Sequence, residues 1–151
     1  MLVCMITTQV FHPNICRLLG VSTDGPQRCL VLEMCPAGSL AVALAADREQ
    51  LKAGAGARLV WWARVQVAVA IARALVHLHS QKPPMIHRDV KSQNVLLTSI
   101  DSGDMIAATK VSDFGTAKED IRGRVNSDLP TDATGNMKSH ASTKMVIGTV
   151  P

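Results

Sequence analysis

The longest periodic segment of the chain, Arg58 to His79, sets the first constraint on what the chain can become. Fully helical, it would run about 33 Å. At 100° per residue, Gln66, Arg73 and His77 fall within about 40° of one another. Most of its other positions, among them Leu59, Trp62, Val65, Val69, Ala72, Leu75 and Val76, are apolar. The pattern predicts a helix that is mostly buried, with one narrow wet stripe. Lys82-Pro83-Pro84 stops it, because proline lacks the amide donor and clashes with the preceding turn.

A helix of this kind needs a core to sit in, and the composition supplies one. Hydrophobic residues make up 47% and charged residues 19% of 151, which excludes a disordered tail. With two Trp, two Phe and no Tyr, that core must be built from Val, Leu, Ala and Met. No apolar run reaches the length of a membrane-spanning helix, and no cationic segment precedes the apolar start, so neither a membrane segment nor a secretory signal is expected. The net charge of +4 is not gathered into one run; it suits anionic ligands and gives no nucleic-acid signature. Cys4, Cys16, Cys29 and Cys35 contain no CxxC pair and sit in apolar or strand-like surroundings. Reduced, buried thiols in a reducing, cytoplasmic compartment are the expectation.

Around the long helix, shorter elements can be placed. Ile15 to Val21 and Cys29 to Met34 read as strands separated by the turn Ser22-Thr23-Asp24-Gly25-Pro26. Leu40 to Leu51 reads as a helix that Gly54-Ala55-Gly56 ends; those glycines follow a helix rather than a strand, and read as a linker. Met85-Ile86, Val95 to Thr98 and Thr109 to Ser112 are short strand candidates, the last two forming a hairpin through the loop 99–104. From Asp113 to Pro151 there is little periodicity.

The chemistry is concentrated in His87-Arg88-Asp89-Val90-Lys91-Ser92-Gln93-Asn94, with Asp113-Phe114-Gly115 following 19 residues after Asn94. These groups suit phosphoryl transfer, which needs positioning and charge neutralisation more than covalent chemistry. One carboxylate can accept a hydroxyl proton, a nearby lysine can neutralise the transferred phosphoryl, and a carboxylate with a carboxamide can hold Mg²⁺ through hard oxygens. The hairpin brings the loop carrying Asp89 and Asn94 to one edge with Asp113.

These residues resemble the eukaryotic protein kinase catalytic loop, H-R-D-x-K-x-x-N, followed by D-F-G. His12-Pro13-Asn14-Ile15 is similar to the loop entering the fourth strand of that family, Leu30 to Met34 to its hinge strand, Ala74 to Ser80 to the helix before the catalytic loop, and Gly148 to Pro151 to the opening of the segment ending in A-P-E. The resemblance implies an α+β, two-lobed kinase fold, here a fragment lacking most of the N-lobe and the C-terminal helices of the large lobe. Residues 1–35 would end the N-lobe and form the hinge, 36–112 would begin the C-lobe with the catalytic loop, and 113–151 would be the activation segment. The family's glycine-rich loop and ATP-binding lysine have no counterpart, and the position of its helix glutamate falls near Val3.

The resemblance further implies ATP-dependent phosphoryl transfer to Ser/Thr of protein substrates, since Lys91 two positions after the aspartate is similar to Ser/Thr kinases, in particular the tyrosine-kinase-like group. Asp89 would be the base and Lys91 would contact the γ-phosphate. Asn94 and Asp113 would bind Mg²⁺. Leu32 would be the gatekeeper, the Glu33 carbonyl and Cys35 amide would bond adenine, and Leu96 would form the floor beneath it. His87, Phe114 and Leu18 would stack in a hydrophobic spine, and Arg88 would read a phosphate on the activation loop. Ser139, Ser142 and Thr143 are the phosphosite candidates. The alternative is a catalytically inactive kinase-like fragment acting as a binding or decoy module.

Overall fold

The computed structural model describes residues 10–22 and 29–119; Cys4, Val3, the turn at 23–28 and the phosphosite candidates Ser139, Ser142 and Thr143 lie outside them, as does the 148–151 segment. The chain is α+β. Its strands are β1 (Leu18–Ser22), β2 (Cys29–Leu32), β3 (Met85–Ile86), β4 (Val95–Leu97), β5 (Thr109–Val111) and β6 (Lys118–Glu119), and its helices are α1 (Leu40–Lys52), α2 (Trp61–His79) and α3 (Met105–Ala108). The strands form three antiparallel pairs, β1 with β2, β3 with β6 and β4 with β5.

The β4–β5 ladder runs Val95 opposite Val111, Leu96 opposite Lys110 and Leu97 opposite Thr109. The connection expected to be a plain loop contains the one-turn helix α3, because the Asp104 carboxylate caps it by accepting from the Ala107 N–H at 3.1 Å. The His12-Pro13-Asn14-Ile15 cluster is anchored to this hairpin. Val111 N–H donates to the Asn14 carbonyl at 2.8 Å, Cys16 N–H donates to the Val111 carbonyl at 2.8 Å, and the buried Asn14 carboxamide donates to the carbonyls of Ile106 and Thr109.

Helix α1 begins at Ser39, whose hydroxyl accepts from the Val42 N–H, and stops at Gly54, whose φ of +78° is a left-handed conformation suited to glycine. Helix α2 starts three residues later than the apolar pattern predicts. The buried Asp47 carboxylate takes the amide hydrogens of Arg58 (2.9 Å) and Leu59 (3.0 Å) and pairs with the Arg64 guanidinium at 3.2 Å. That pins residues 58–59 as a corner against α1 instead of a first helical turn.

The expectation of a mostly buried α2 is not met. Its buried residues are Val67, Ala70, Ala74 and Leu78, a single stripe facing β3, β5 and α3. Trp61, Trp62, Val69 and Val76 are exposed, because among the described residues elements pack on one side of the helix only. The expected wet stripe also divides. Arg73 is exposed, Gln66 accepts from the Met105 N–H at 3.1 Å, and His77 lies against His12 with ring centres 4.9 Å apart. His79 is exposed.

Two apolar groups make the core. One joins Ile15, Ala74, Leu78, Met85, Val111 and Phe114; the other joins Ala43, Leu59, Val67, Val95, Leu97 and Met105. The segment from Asp113, which reads as unpatterned, is ordered at its start by a short turn at Phe114–Thr116 and by β6 pairing with β3.

Asp47→Ala leaves two amide hydrogens and a guanidinium without their acceptor, one of them at fully buried Leu59. It should lower stability by about 3 kcal/mol in urea titration. Glu49→Ala, which removes only an exposed pair with Lys52, should hardly move the midpoint.

Candidate active site

Asp89, Lys91 and Asn94 meet directly. The Lys91 ammonium donates to Asp89 Oδ2 at 2.6 Å, and the Asn94 amide nitrogen donates to the same oxygen and to the Asp89 carbonyl, each at 2.9 Å. The local fold explains this meeting. Residues 92–94 form a single tight turn leading into β4, with Asn94 N–H donating to the Lys91 carbonyl, so the chain doubles back over Asp89. Asn94 is buried, while Asp89 and Lys91 face solvent.

Asp113 is positioned across the hairpin from Asn94. Ser112 binds the Asn94 carbonyl twice, through its N–H at 2.8 Å and its hydroxyl at 3.0 Å, one register step past the Val95–Val111 pair. The next residue, Asp113, has φ +63° and turns its carboxylate to accept from Gly115 N–H at 3.2 Å. Buried His87 holds the other side of this junction. One ring nitrogen bonds the Ser112 carbonyl at 3.0 Å, and the ring lies 4.9 Å from that of Phe114. Phe114 therefore does pack with His87 and shares an apolar group with Ile15, while Leu18, the other expected partner, is half-buried in the β1–β2 ribbon.

Arg88 also has a left-handed backbone, φ +68°, and its guanidinium donates to the Thr116 carbonyl from Nε at 2.6 Å and from a terminal nitrogen. Thr116 returns a hydroxyl bond to the His87 carbonyl at 3.0 Å. Arg88 thus binds backbone beside the Asp113-Phe114-Gly115 turn. The segment on which it was expected to read a phosphate lies outside the described residues. Two non-glycine residues at positive φ within one site are uncommon, and strain of this kind clusters where geometry is functional.

The expected hinge residues stand on a second edge of the same hairpin. Glu33 N–H donates to the Arg17 carbonyl at 2.9 Å, and the Glu33 carboxylate accepts from Arg17 N–H at 2.7 Å and from Lys110 at 3.1 Å. Beyond Cys35 the chain is stitched to β4: Ala37 N–H donates to the Leu97 carbonyl, Leu97 N–H to the Gly38 carbonyl, and Ser39 bridges Leu96. Leu96, two residues after Asn94, is thereby held against the segment that follows Cys35. Among the described residues the Cys35 amide meets no backbone acceptor. Leu32, Glu33, Cys35 and Leu96 are all half-buried.

No cluster of three or more His, Cys, Asp or Glu side chains gathers around a metal position among the described residues. A cation here would rest on the Asp113 carboxylate and the Asn94 carboxamide oxygen, hard donors that fit Mg²⁺ better than a softer metal. Asn14 of the His12-Pro13-Asn14-Ile15 cluster completes the frame with Ser112 and Thr116, to which the sequence assigns no role. Asn14, Ser112 and Thr116 act through backbone-directed hydrogen bonds, for which no spacing pattern exists.

The description "Protein tyrosine and serine/threonine kinase" belongs to a family whose pattern matches residues 3–135. The chain belongs to the protein kinase family. Relatives include the probable serine/threonine-protein kinase PBL6 of Arabidopsis thaliana, 42% identical over 74% of this chain and 24% of its own. A probable leucine-rich repeat receptor-like protein kinase of the same plant is 38% identical over 75% of this chain and 11% of its own. A receptor-like cytoplasmic serine/threonine-protein kinase described as EPD1-interacting, from Gossypium barbadense, is 35% identical over 93% of this chain and 25% of its own. The kinase chain described here thus spans between about a tenth and a quarter of the length of these relatives. Among its described residues no helix is long and apolar enough to cross a membrane.

The Lys91 hydrogen bond holds the Asp89 carboxyl below the ordinary carboxylate value against the next largest effect, desolvation, and a weaker bond from Asn94 adds to the lowering. The folded state therefore favours the charged form. Its stabilising effect is present above the unfolded value near 3.8 and is lost as pH falls through the lower folded midpoint. Titration of the Asp89 carboxyl carbon by NMR should show that lowered midpoint, and Lys91→Ala should raise it; a midpoint indifferent to Lys91→Ala would contradict the contact.

Proposed function

We propose that this chain carries the catalytic loop, metal ligands and nucleotide hinge of a protein kinase that transfers the γ-phosphoryl group of ATP to Ser or Thr hydroxyls of protein substrates. The observation that carries this reading is the convergence on Asp89 Oδ2 of the Lys91 ammonium and the Asn94 amide at 2.6 and 2.9 Å. A carboxylate so held stays ionised at neutral pH and is free to accept a proton at its solvent-facing side.

In this reading residues 1–35 end the small lobe and form the hinge, 36–112 begin the large lobe, and 113–151 are the activation segment. The Glu33 carbonyl and Cys35 amide bond the adenine, and Leu32 and Leu96 enclose it. Asp89 receives the proton of the attacking hydroxyl as its oxygen bonds the γ-phosphorus and the bond to the β,γ-bridging oxygen breaks, releasing ADP. Lys91, already beside Asp89, neutralises charge on the moving phosphoryl group. Asn94 and Asp113 would hold magnesium, which when bound supplies charge neutralisation for the phosphates. His87 and Ser112 keep the two ligand-bearing segments in register. The likeness to a relative described as a receptor-like cytoplasmic kinase supports a cytoplasmic setting.

The test is transfer of labelled γ-phosphate from ATP to a Ser/Thr-bearing substrate such as casein. Asp89→Asn should reduce turnover about 10²- to 10⁴-fold while nucleotide binding persists, and Asp113→Asn should weaken Mg²⁺-dependent nucleotide binding as well. Equal turnover in Asp89→Asn and parent would remove Asp89 as the base. Nucleotide binding without transfer in the parent would favour the binding-module alternative.

A further inference from the structure

The turn at His12-Pro13-Asn14 is closed by an imidazole. The Asn14 N–H donates to His12 Nδ1 at 3.0 Å, and the Ile15 N–H donates to the His12 carbonyl at 3.0 Å. A backbone N–H can only donate, so His12 Nδ1 is unprotonated in the fold and the ring carries its hydrogen on Nε2. Asparagine and aspartate side chains make the same closure when they bond the backbone two residues on. Asn14, held in this way, is the residue that fastens the turn to β5. Its carbonyl accepts from the Val111 N–H at 2.8 Å, and its buried carboxamide donates to the Thr109 carbonyl at 3.0 Å.

The surroundings of the ring oppose a positive charge on it. His77 of α2 lies against it, with ring centres 4.9 Å apart. The Gln81 amide nitrogen, also a donor, is 3.3 Å from His77 Nε2, which makes that nitrogen an acceptor in its turn. The other charged groups facing His12 are Arg73 of α2 and Lys110 of β5, the latter paired with Glu33 at 3.1 Å. Burial first, and then these basic neighbours, hold the His12 midpoint below its ordinary value of 6.5. A cavity of about 470 Å³ bordered by His12, Arg73, His77 and Ser80 lets solvent reach the pair.

We propose that His12 is a proton-operated latch on the β4–β5 hairpin: a proton taken up at Nδ1 removes the acceptor of the Asn14 N–H and loosens the hold of the turn on β5. At neutral pH the ring is uncharged and the latch is closed. Its stabilising effect is fully present above the unfolded value of 6.5 and is lost as pH falls through the lower folded midpoint. In the protonated form two N–H groups face each other across the turn, and a charge is added beside Arg73 and Lys110. The edge loosened is the one from which the Asp113 turn leaves, because Val111 pairs with Val95 and Ser112 binds the Asn94 carbonyl.

The experiment uses the whole chain. Nitrogen-15 NMR at about pH 7.5 should show His12 as the Nε2–H tautomer. The Nδ1–H tautomer would overturn the latch, and this readout in the parent does not depend on any variant folding. Amide exchange at Val111, corrected for the intrinsic rate at each pH, is then compared between about pH 7.5 and about pH 5 in the parent and in His12→Asn. The asparagine oxygen supplies the same acceptor without titrating, so the acid loss of protection in the parent should exceed that in His12→Asn about fivefold. The other histidines are common to both proteins, so the difference belongs to position 12. His12→Ala, with no acceptor at either pH, should be less protected than the parent at about pH 7.5. Equal acid losses in the parent and His12→Asn, or His12→Ala as well protected as the parent at about pH 7.5, would each overturn the proposal.

Discussion

The pairing of β4 with β5 carries the rest of the structure. It is only three residues long on each side, yet four separate pieces of chain depend on it. The loop bearing Asp89 and Lys91 enters it at Asn94, the Asp113 turn leaves it at Ser112, the Asn14 anchor binds β5, and the loop after Cys35 is hydrogen-bonded to Leu97. Buried polar groups make this economical arrangement specific. Asn14, His87, Asn94, Thr109 and Ser112 are all buried and hydrogen-bonded, and both bonds from Ser112 to the Asn94 carbonyl are lost if the ladder slips by a residue. The chemical groups themselves sit on loops, but those loops are held at both ends by a short rigid frame.

A second frame, centred on Asp47, orients the long helix. By binding the 58–59 corner and Arg64 together, one carboxylate sets where α2 begins and therefore which residues its buried stripe presents to β5 and α3. The small side chains of Ala70 and Ala74 allow that stripe to approach the sheet closely. Gln66, on the same helix, closes the link by capping α3 at Met105.

Much of this was legible in the residues. The strands at Met85, Val95 and Thr109, the helix from Leu40, and the loop bearing Asp89, Lys91 and Asn94 stand close to where spacing and the family resemblance place them. What escaped depends on partners distant in sequence. The start of α2 is decided by Asp47, eleven residues before Arg58, and no helical pattern contains that information. The exposed side of α2 is equally invisible to periodicity, since apolar residues report what could be buried and not what is packed against them. The resemblance gives Arg88 a phosphate to read, and nothing in the residues foretold the bond its guanidinium makes to the Thr116 carbonyl.

Both tryptophans of the chain, Trp61 and Trp62, open α2 with 79% and 66% of their surface in water, and there is no tyrosine. Ultraviolet emission from this polypeptide therefore originates almost wholly from two indoles that are hydrated in the native state. Their spectrum is already close to that of the denatured chain, so loss of the fold would leave the colour of the emission nearly unchanged. The same two rings would shift to the blue when another surface covered them, which makes them natural reporters of docking rather than of unfolding.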